Sequence, residues 1–107
     1  MKYRIEMTET AINDLDTIYL KVVELSNYSD IASNLIKRLG LRMKMLEKFA
    51  EIGERLSECF SNKNFHHDYR KLLESHYLII YHVEFEKRIV YIDRIFHERT
   101  DYIQRLL

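Results

Sequence analysis

Apolar and polar residues alternate at the start of the chain, and the spacing of apolar residues then becomes that of a helix. In the opening segment KYRIEM every second residue is apolar, which predicts a strand with one buried face over residues 2–7. Thr8 follows as a candidate helix N-cap, with Glu9 in the first turn, where an acid is favourable. Apolar residues then recur every three or four positions, at Ala11, Leu15, Ile18 and Val22. This spacing predicts an amphipathic helix of about five turns.

A second helix is predicted after a short break. Residues 26–30, SNYSD, are turn formers, and Ser29 or Asp30 can cap the next helix. That helix is expected to end near Ala50, shortly before Gly53. Its apolar stripe consists of Ala32, Leu35, Leu39, Met43, Leu46 and Phe49. Two consecutive helices with a short link indicate an antiparallel hairpin.

The second half of the chain is predicted to form mainly β-strands. Residues 54–68 lose the helical period and are predicted to form a long loop. Three runs rich in β-branched and aromatic residues follow, YRKLL, YLIIYHVEF and RIVYIDRIF, and they predict a three-stranded antiparallel meander. Residues 100–107 can add a short C-terminal helix. The predicted fold is therefore α+β, in the order β-α-α-β-β-β, with the helical hairpin packed on an antiparallel sheet.

Length and composition narrow the class of protein. The 107 residues predict a single domain over residues 1–107, and the 47% of hydrophobic residues can supply one core, so a disordered chain is not expected. No apolar run is long enough to cross a bilayer and no secretory h-region is evident, so we expect a cytoplasmic protein without a membrane partner. Cys59 is the only cysteine, which excludes an internal disulfide and a thiolate zinc site.

The balance of charge offers little general attraction to nucleic acid. Seventeen Lys and Arg residues balance seventeen Asp and Glu residues, so phosphate binding would need a local cluster. One basic cluster contains no acid, at Lys37, Arg38, Arg42 and Lys44. It can be a solvated helix face, or it can contact nucleic acid or an acidic partner. All five histidines lie between residues 66 and 97, which points to the second half of the chain for chemistry.

Three segments form a pattern that covers almost the whole chain. The first is TETAINDLDTI, residues 8–18, directly after the first strand. The second is Arg70, seven residues before the strand YLIIYHV. The third is VYIDRIFHERTDYIQRLL, which is similar to a family ending of the form I-x-R-I-x-H-x-R-R-D. In this order the segments resemble the RelE/ParE superfamily, the toxins of type II toxin–antitoxin pairs.

The resemblance implies one of two activities on one fold. One form of the superfamily enters the ribosomal A site and cleaves mRNA, and the other binds DNA gyrase and poisons it. We expect ribosome-dependent mRNA cleavage without a cofactor or metal, and keep gyrase poisoning as the alternative. Zero net charge, Arg99-Thr100 in place of paired basic residues, and Leu78 where nucleases often carry arginine favour the alternative. A member that binds its antitoxin but is no longer toxic is the third hypothesis.

The cleavage hypothesis assigns roles to six residues. Metal-independent RNA cleavage needs a group that takes the 2′-hydroxyl proton, cations at the phosphate, and an acid for the leaving oxygen. His97 is the candidate acid or base, because imidazole titrates near neutrality. Arg70 and Arg99 are the candidates that hold the phosphate in the catalytic set. The expected RNA contacts are Lys71, Tyr81 and Tyr102, the tyrosines by stacking on bases.

Several of the histidines and acids also have a purely structural interpretation. His82 is expected to be a hydrogen-bonded histidine of the sheet face. Asp93 is expected to be the carboxylate of an ion pair, most simply with Arg94 or a cross-strand cation. The adjacent His66 and His67 are not expected to hold a metal, because no third ligand is evident. Residues 97–101 can likewise form a solvated turn in which the acids neutralise the cations.

A small antitoxin protein is the partner that the resemblance implies under each hypothesis. Its C-terminal segment would lie across the sheet or a helix groove and fold on binding. The further partners are the ribosome with mRNA or, alternatively, DNA gyrase.

Overall fold

The computed structural model describes residues 2–107 and begins with the predicted strand and helical hairpin. Strand β1 spans Arg4–Met7, helix α1 spans Glu9–Ser26, and helix α2 spans Ser29–Lys44. A 3-10 turn over Met45–Glu47 extends α2. The regular part of the second helix therefore ends at Lys44, before the end near Ala50 that its apolar stripe predicted.

The ends of α1 are fixed by local hydrogen bonds. Oγ1 of Thr8 accepts a hydrogen bond from the N–H of Ala11 at 3.1 Å, so Thr8 is the predicted N-cap. Asn27 follows the last turn with φ at 62°, and its N–H donates to the carbonyl of Val23 at 2.8 Å. This left-handed residue reverses the chain, so that α2 begins at Ser29 and runs back along α1.

The three predicted strands of the second half are present. Strand β3 spans Arg70–Glu74, β4 spans Tyr77–Glu84 and β5 spans Ile89–His97. Helix α4 spans Tyr102–Leu106 and is the predicted short C-terminal helix. No helix within residues 2–107 is long and apolar enough to cross a membrane.

The segment predicted as a loop over residues 54–68 contains regular structure. Strand β2, Glu54–Arg55, pairs antiparallel with the start of β3, and helix α3, Leu56–Cys59, follows it directly. Leu56 is fully buried and holds this short helix against the sheet. The loop prediction is therefore wrong up to Cys59 and correct beyond it. A two-residue strand and a single helical turn are too short to show a period in the sequence.

The five strands form one mixed sheet in the order β1-β5-β4-β3-β2. The neighbours from β2 to β5 are antiparallel, as the predicted meander requires. Strand β1 instead pairs parallel with β5, with Arg4 beside Ile89. Parallel pairing needs a long connection, which the helical hairpin and the meander provide here. The predicted α+β class and element order are confirmed, and the sheet differs from an antiparallel one at its β1 edge.

Both faces of the sheet are covered. On the helix face, α1 and α2 pack over an apolar cluster that includes the fully buried Leu39, Ile79 and Val90. On the opposite face, which we call the loop face, a smaller cluster is formed by Leu56, Tyr69, Leu78, Ile80, Phe96, Ile103 and Leu106. Successive residues of β4 alternate between the two clusters, as side chains of a strand do.

Asp14 joins α1 to the end of β5. Strand β1 ends at Met7, which lies beside Ile92, so β5 continues past its parallel neighbour. The Asp14 carboxylate accepts a hydrogen bond from the N–H of Ile95 at 2.9 Å and two from the guanidinium of Arg94 at 2.9 and 3.2 Å. The carboxylate therefore supplies the acceptor that a longer β1 would have supplied.

We predict that Asp14→Ala lowers the free energy of unfolding by about 2–3 kcal/mol, because it leaves a half-buried guanidinium and a backbone N–H without an acceptor. Asp16→Ala is the matched control, since Asp16 is an exposed acid on the same helix. Its expected change is within about 0.5 kcal/mol. Urea denaturation followed by circular dichroism measures both, and equal midpoints for the two variants would contradict the role of Asp14.

Candidate functional site

His97 is the last residue of β5 and lies on the helix face of the sheet. Its ring meets the ring of Tyr77, the paired residue on β4, at 5.2 Å between centroids and an angle of 83°. The backbone N–H of Arg99 donates to Nδ1 of His97 at 3.2 Å. Both His97 and Arg99 are exposed. The hydrogen bond holds the imidazole at the edge of the sheet, with Nε2 left without a hydrogen-bond partner among residues 2–107.

A groove of about 380 Å³ opens beside His97, between α1 and the ends of β4 and β5. Among residues 2–107, its lining consists of Thr17, Ile18, Lys21, Val22, Leu25, Tyr77 and His97. None of these seven residues is an acid. Burial raises the pKa of Tyr77, so its hydroxyl stays neutral over a wide range of pH. The groove therefore combines an apolar interior with two basic side chains, Lys21 and His97.

Arg70 is held by backbone carbonyls at the start of β3. Its Nη1 donates to the carbonyls of Glu51 at 2.9 Å and Gly53 at 2.8 Å. These bonds tie the turn after α2 to the first residue of β3. The guanidinium is thus used to satisfy backbone acceptors, which is a structural role.

The strand register separates Arg70 from His97. Arg70 pairs with Tyr81 on β4, and His97 pairs with Tyr77 on the same strand. The four-residue offset corresponds to about 13 Å along the strand, and two strand spacings add about 10 Å across it. The structure therefore does not place His97, the predicted acid or base, and Arg70, the predicted cation, around one phosphate.

Tyr81 is a core residue. It is fully buried, and its hydroxyl accepts a hydrogen bond from the N–H of Gly53 at 2.8 Å. A Cβ at Gly53 would lie 2.5 Å from that hydroxyl, so the glycine permits this close approach. Burial raises the pKa of Tyr81. Because the Tyr81 ring is buried, no base can stack on it. Tyr81 is therefore a core residue and not the RNA contact that the sequence predicted.

Lys71 and Tyr102 lie on the loop face, away from His97. Nζ of Lys71 is 3.7 Å from the Glu54 carboxylate. Tyr102 is half-buried, and its ring stacks on Phe96 with centroids 6.2 Å apart. The six residues proposed from the sequence therefore do not form one site. His97 and Arg99 lie together at the end of β5, while Arg70 pairs with Tyr81. Lys71 and Tyr102 lie on the loop face.

A second polar cluster lies on the loop face, around His82. Nδ1 of His82 lies 2.5 Å from Oδ2 of Asp93, and both side chains are largely buried. The His82 ring is stacked between His67, at 4.0 Å, and Tyr91, at 5.1 Å. His82 is thus the hydrogen-bonded sheet histidine that the sequence predicted, and it is the partner of Asp93 in place of Arg94. No group of three or more side chains suited to a metal ion occurs within residues 2–107.

Sequence reasoning missed Lys21 as a neighbour of His97. Thr17, Lys21 and Leu25 recur at intervals of four, so their position on one face of α1 could be read from the sequence. The contact of that face with the end of β5 could not, because it depends on how α1 is placed on the sheet.

Comparison with known proteins places this geometry in a family. The family model described as "ParE toxin of type II toxin-antitoxin system, parDE" matches residues 5–102. The chain is similar to a structure of the chromosomal ParDE toxin–antitoxin system from P. aeruginosa, with 22% identity, a TM-score of 0.71, and coverage of 90% of this chain and 96% of that chain. It is also similar to the RelBE2 toxin–antitoxin complex from Mycobacterium tuberculosis, with 17% identity, a TM-score of 0.61, and coverage of 91% and 99%. A search of curated proteins gave no significant match.

The fold and the family match together define the class of protein. A helical hairpin on one face of an open sheet is the architecture expected from the resemblance to the RelE/ParE superfamily, and that resemblance is confirmed. The chain belongs to the ParE toxin family of type II toxin–antitoxin systems.

We predict that Arg70→Ala lowers the free energy of unfolding by about 1–3 kcal/mol, because two backbone carbonyls lose a charged donor. Arg99→Ala is the matched control: Arg99 is an exposed arginine, and its change is expected to stay within about 0.5 kcal/mol. Thermal or urea unfolding of both variants tests this. A stability unchanged by Arg70→Ala would show that the guanidinium is free for another role.

Proposed function

We propose that the protein is a toxin that acts by binding DNA gyrase and trapping its DNA-cleavage complex, without itself catalysing a reaction. The observation that carries the proposal is the separation of the predicted catalytic groups. Arg70 and His97 are separated by about 13 Å along β4 and by two strand spacings, and Arg70 is bonded to two backbone carbonyls. A binding protein does not need these groups to converge on one phosphate.

Charge and family support the same proposal. The net charge is zero, so the protein lacks the general attraction to an RNA backbone that basic residues provide. The family model that matches is that of ParE toxins, and the resemblance implies gyrase as the target of ParE-like members. Gyrase and the ribosome are both cytoplasmic, so we expect the toxin to act in the cytoplasm.

A protein antitoxin is the second partner in this proposal. The family is one of toxin–antitoxin pairs, and the two similar solved structures are described as a ParDE system and a RelBE2 complex. We expect the cognate antitoxin to form a stable complex with this chain and to cover its working surface.

The expected result with purified gyrase, ATP and relaxed plasmid is loss of supercoiling and accumulation of linear DNA as the toxin concentration rises. The physical reason is that a bound protein which stabilises the cleaved state prevents religation. Heat-unfolded protein serves as the control for nonspecific inhibition. Unaffected supercoiling and no linear product, with folded toxin in excess, would contradict gyrase as the target.

Ribosome-dependent mRNA cleavage is the second candidate, and one observation favours it. His97 is exposed, its Nδ1 is fixed by the N–H of Arg99, and Lys21 lines the same groove. An imidazole with an oriented ring and nearby cations can move a proton at a phosphate.

If this second candidate is correct, the toxin cuts mRNA in a translating extract and His97→Gln slows cutting at least about 100-fold. His66→Gln is the control, since His66 is exposed on the other side of the molecule, beside the C-terminal residue Leu107. Primer extension on the recovered mRNA measures the cuts. Intact mRNA with the unaltered toxin would exclude this candidate.

A further inference from the structure

The exposed side of α2 carries a cluster of cations. Lys37, Arg38 and Lys44 are exposed on the helix, and Lys48 is exposed directly after its 3-10 extension. Residues 31–46 contain no acid. Neither these four side chains nor Arg42, which is half-buried beside them, form an ion pair within residues 2–107. We call Lys37, Arg38, Arg42, Lys44 and Lys48 the α2 strip.

Arg42 lacks an oxygen acceptor. Its Nη1 donates to Sδ of Met45 at 3.2 Å, and a thioether is only a weak acceptor. Its Nε is buried and has no hydrogen-bond partner within residues 2–107. A guanidinium forms its strongest hydrogen bonds with the oxygens of carboxylates and phosphates. The guanidinium of Arg42 therefore has unused capacity for an anionic ligand.

The cations of the α2 strip follow one side of the helix. Lys37, Arg38 and Lys44 are each three or four residues from Leu41, so they surround it on the helix surface. Lys48 follows Lys44 after another four residues. From Lys37 to Lys48 the strip is about 16 Å long. One strand of duplex DNA carries a phosphate about every 3.4 Å along its axis, so the strip spans about five phosphates.

The acids near the α2 strip lie at its ends and on its flank. Asp30 is in the first turn of α2, where it faces the positive end of the helix dipole, and Glu51 follows the last cation. Asp16 lies on α1, beside the flank of α2. Glu47 is half-buried and shares a cavity of about 330 Å³ with three lysines, Lys2, Lys44 and Lys48. The centre of the strip therefore has a positive potential that suits an anion.

The apolar residues within the strip favour a DNA backbone over a lipid surface. Leu41 is 62% exposed and Met45 is 36% exposed, and both lie between cations. A helix that binds at a lipid interface instead separates its apolar face from its charged face. Insertion of Leu41 into lipid would bury the surrounding cations, at a high cost in free energy. Against DNA, the cations contact phosphates while the alkyl groups contact the sugars between them.

We propose that the α2 strip binds the phosphate backbone of duplex DNA without reading its sequence. Phosphate contacts position a protein on DNA and are independent of the bases. The inference rests on the proposed function in taking the DNA held by gyrase as the ligand, while another surface of the toxin contacts the enzyme. Gyrase then presents that DNA at a high effective concentration, so a weak contact by a protein of zero net charge is sufficient.

The first experiment measures DNA binding in the absence of gyrase. A short fluorescein-labelled duplex is titrated with the whole chain at low salt, and the fluorescence anisotropy is recorded. We expect the affinity to fall about 100-fold between about 50 and 200 mM salt, because the strip displaces the counterions of about four phosphates. Absence of binding at low salt would overturn the proposal.

Matched double variants localise the contact to the strip. Lys37→Glu with Lys44→Glu, the strip variant, is expected to weaken DNA binding at least about tenfold. Lys63→Glu with Arg105→Glu, the control variant, changes the net charge equally and is expected to weaken binding less than about threefold. Lys63 and Arg105 are exposed in the loop after α3 and on α4, which cover the loop face.

A milder strip variant guards against an effect on folding. Lys37→Gln with Lys44→Gln removes the two charges without reversing them, and its expected loss of affinity is smaller than that of the strip variant. Urea denaturation followed by circular dichroism is expected to give the same midpoint for all three variants. Equal DNA affinity of the strip variant and the control variant would show that the contact lies elsewhere and would overturn the proposal.

Two other anionic ligands serve as comparisons. Phosphatidylglycerol vesicles and a polyglutamate peptide are each expected to bind at least about tenfold more weakly than the duplex, because duplex DNA combines a fixed line of phosphates with a condensed layer of counterions. Tighter binding of the vesicles would assign the strip to a lipid surface. Tighter binding of the peptide would assign it to an acidic protein. Either result would overturn the proposal.

The gyrase assay separates this inference from the proposed function. To form the same amount of linear DNA, we expect at least about tenfold more of the strip variant than of the control variant. Equal potency of the two variants would overturn the inference and leave gyrase inhibition intact. Strip-dependent DNA binding without any effect on gyrase would instead contradict the proposed function.

Discussion

The carboxylate of Asp14 fixes the position of the first helix on the sheet. Strand β1 is only four residues long, so the far end of β5 has an open edge, and the N–H of Ile95 donates to Asp14 there. Arg94 donates to the same carboxylate, and its guanidinium carbon also lies 4.4 Å from the centre of the Phe96 ring. One acid thus connects the helix face to the cluster on the loop face. An interaction shared by a helix, a strand end and both faces is difficult to replace by local rearrangement.

The groove beside His97 follows from that position of α1. Lys21 and Leu25 lie two and three turns beyond Asp14 on one side of the helix, and His97 lies two residues beyond Ile95 on β5. Both walls of the groove are therefore a short distance from the same anchoring contact. Both walls are thus built on regular elements, a helix and a strand.

The sequence was sufficient for the long elements, and insufficient for the short β2 and α3 and for the strand register. Hydrophobic periods predicted the hairpin and the meander, because each of those elements is long enough to show its period. The β3–β4 turn uses Ser75 and His76, both with positive φ, and neither is the glycine or asparagine that normally marks such a turn. The β4–β5 register shifts near Asp93, where β5 has one residue more than β4. The turn fixes which residues of β3 lie opposite β4, and the shift fixes which residue of β4 lies opposite His97. A pattern of residue types contains neither feature.

The position of Arg70 in the family pattern can be explained by folding as well as by chemistry. Its guanidinium binds the carbonyls of Glu51 and Gly53, and the N–H of that same glycine binds the buried hydroxyl of Tyr81. The three contacts close the turn after α2 onto β3 and β4. An arginine with this role must remain bonded in the folded state, and moving it onto a phosphate would leave two carbonyls without their charged donor. A ParE-like chain can therefore keep the arginine of the superfamily pattern without having a phosphate-binding site, and the motif identifies the fold more strongly than the chemistry.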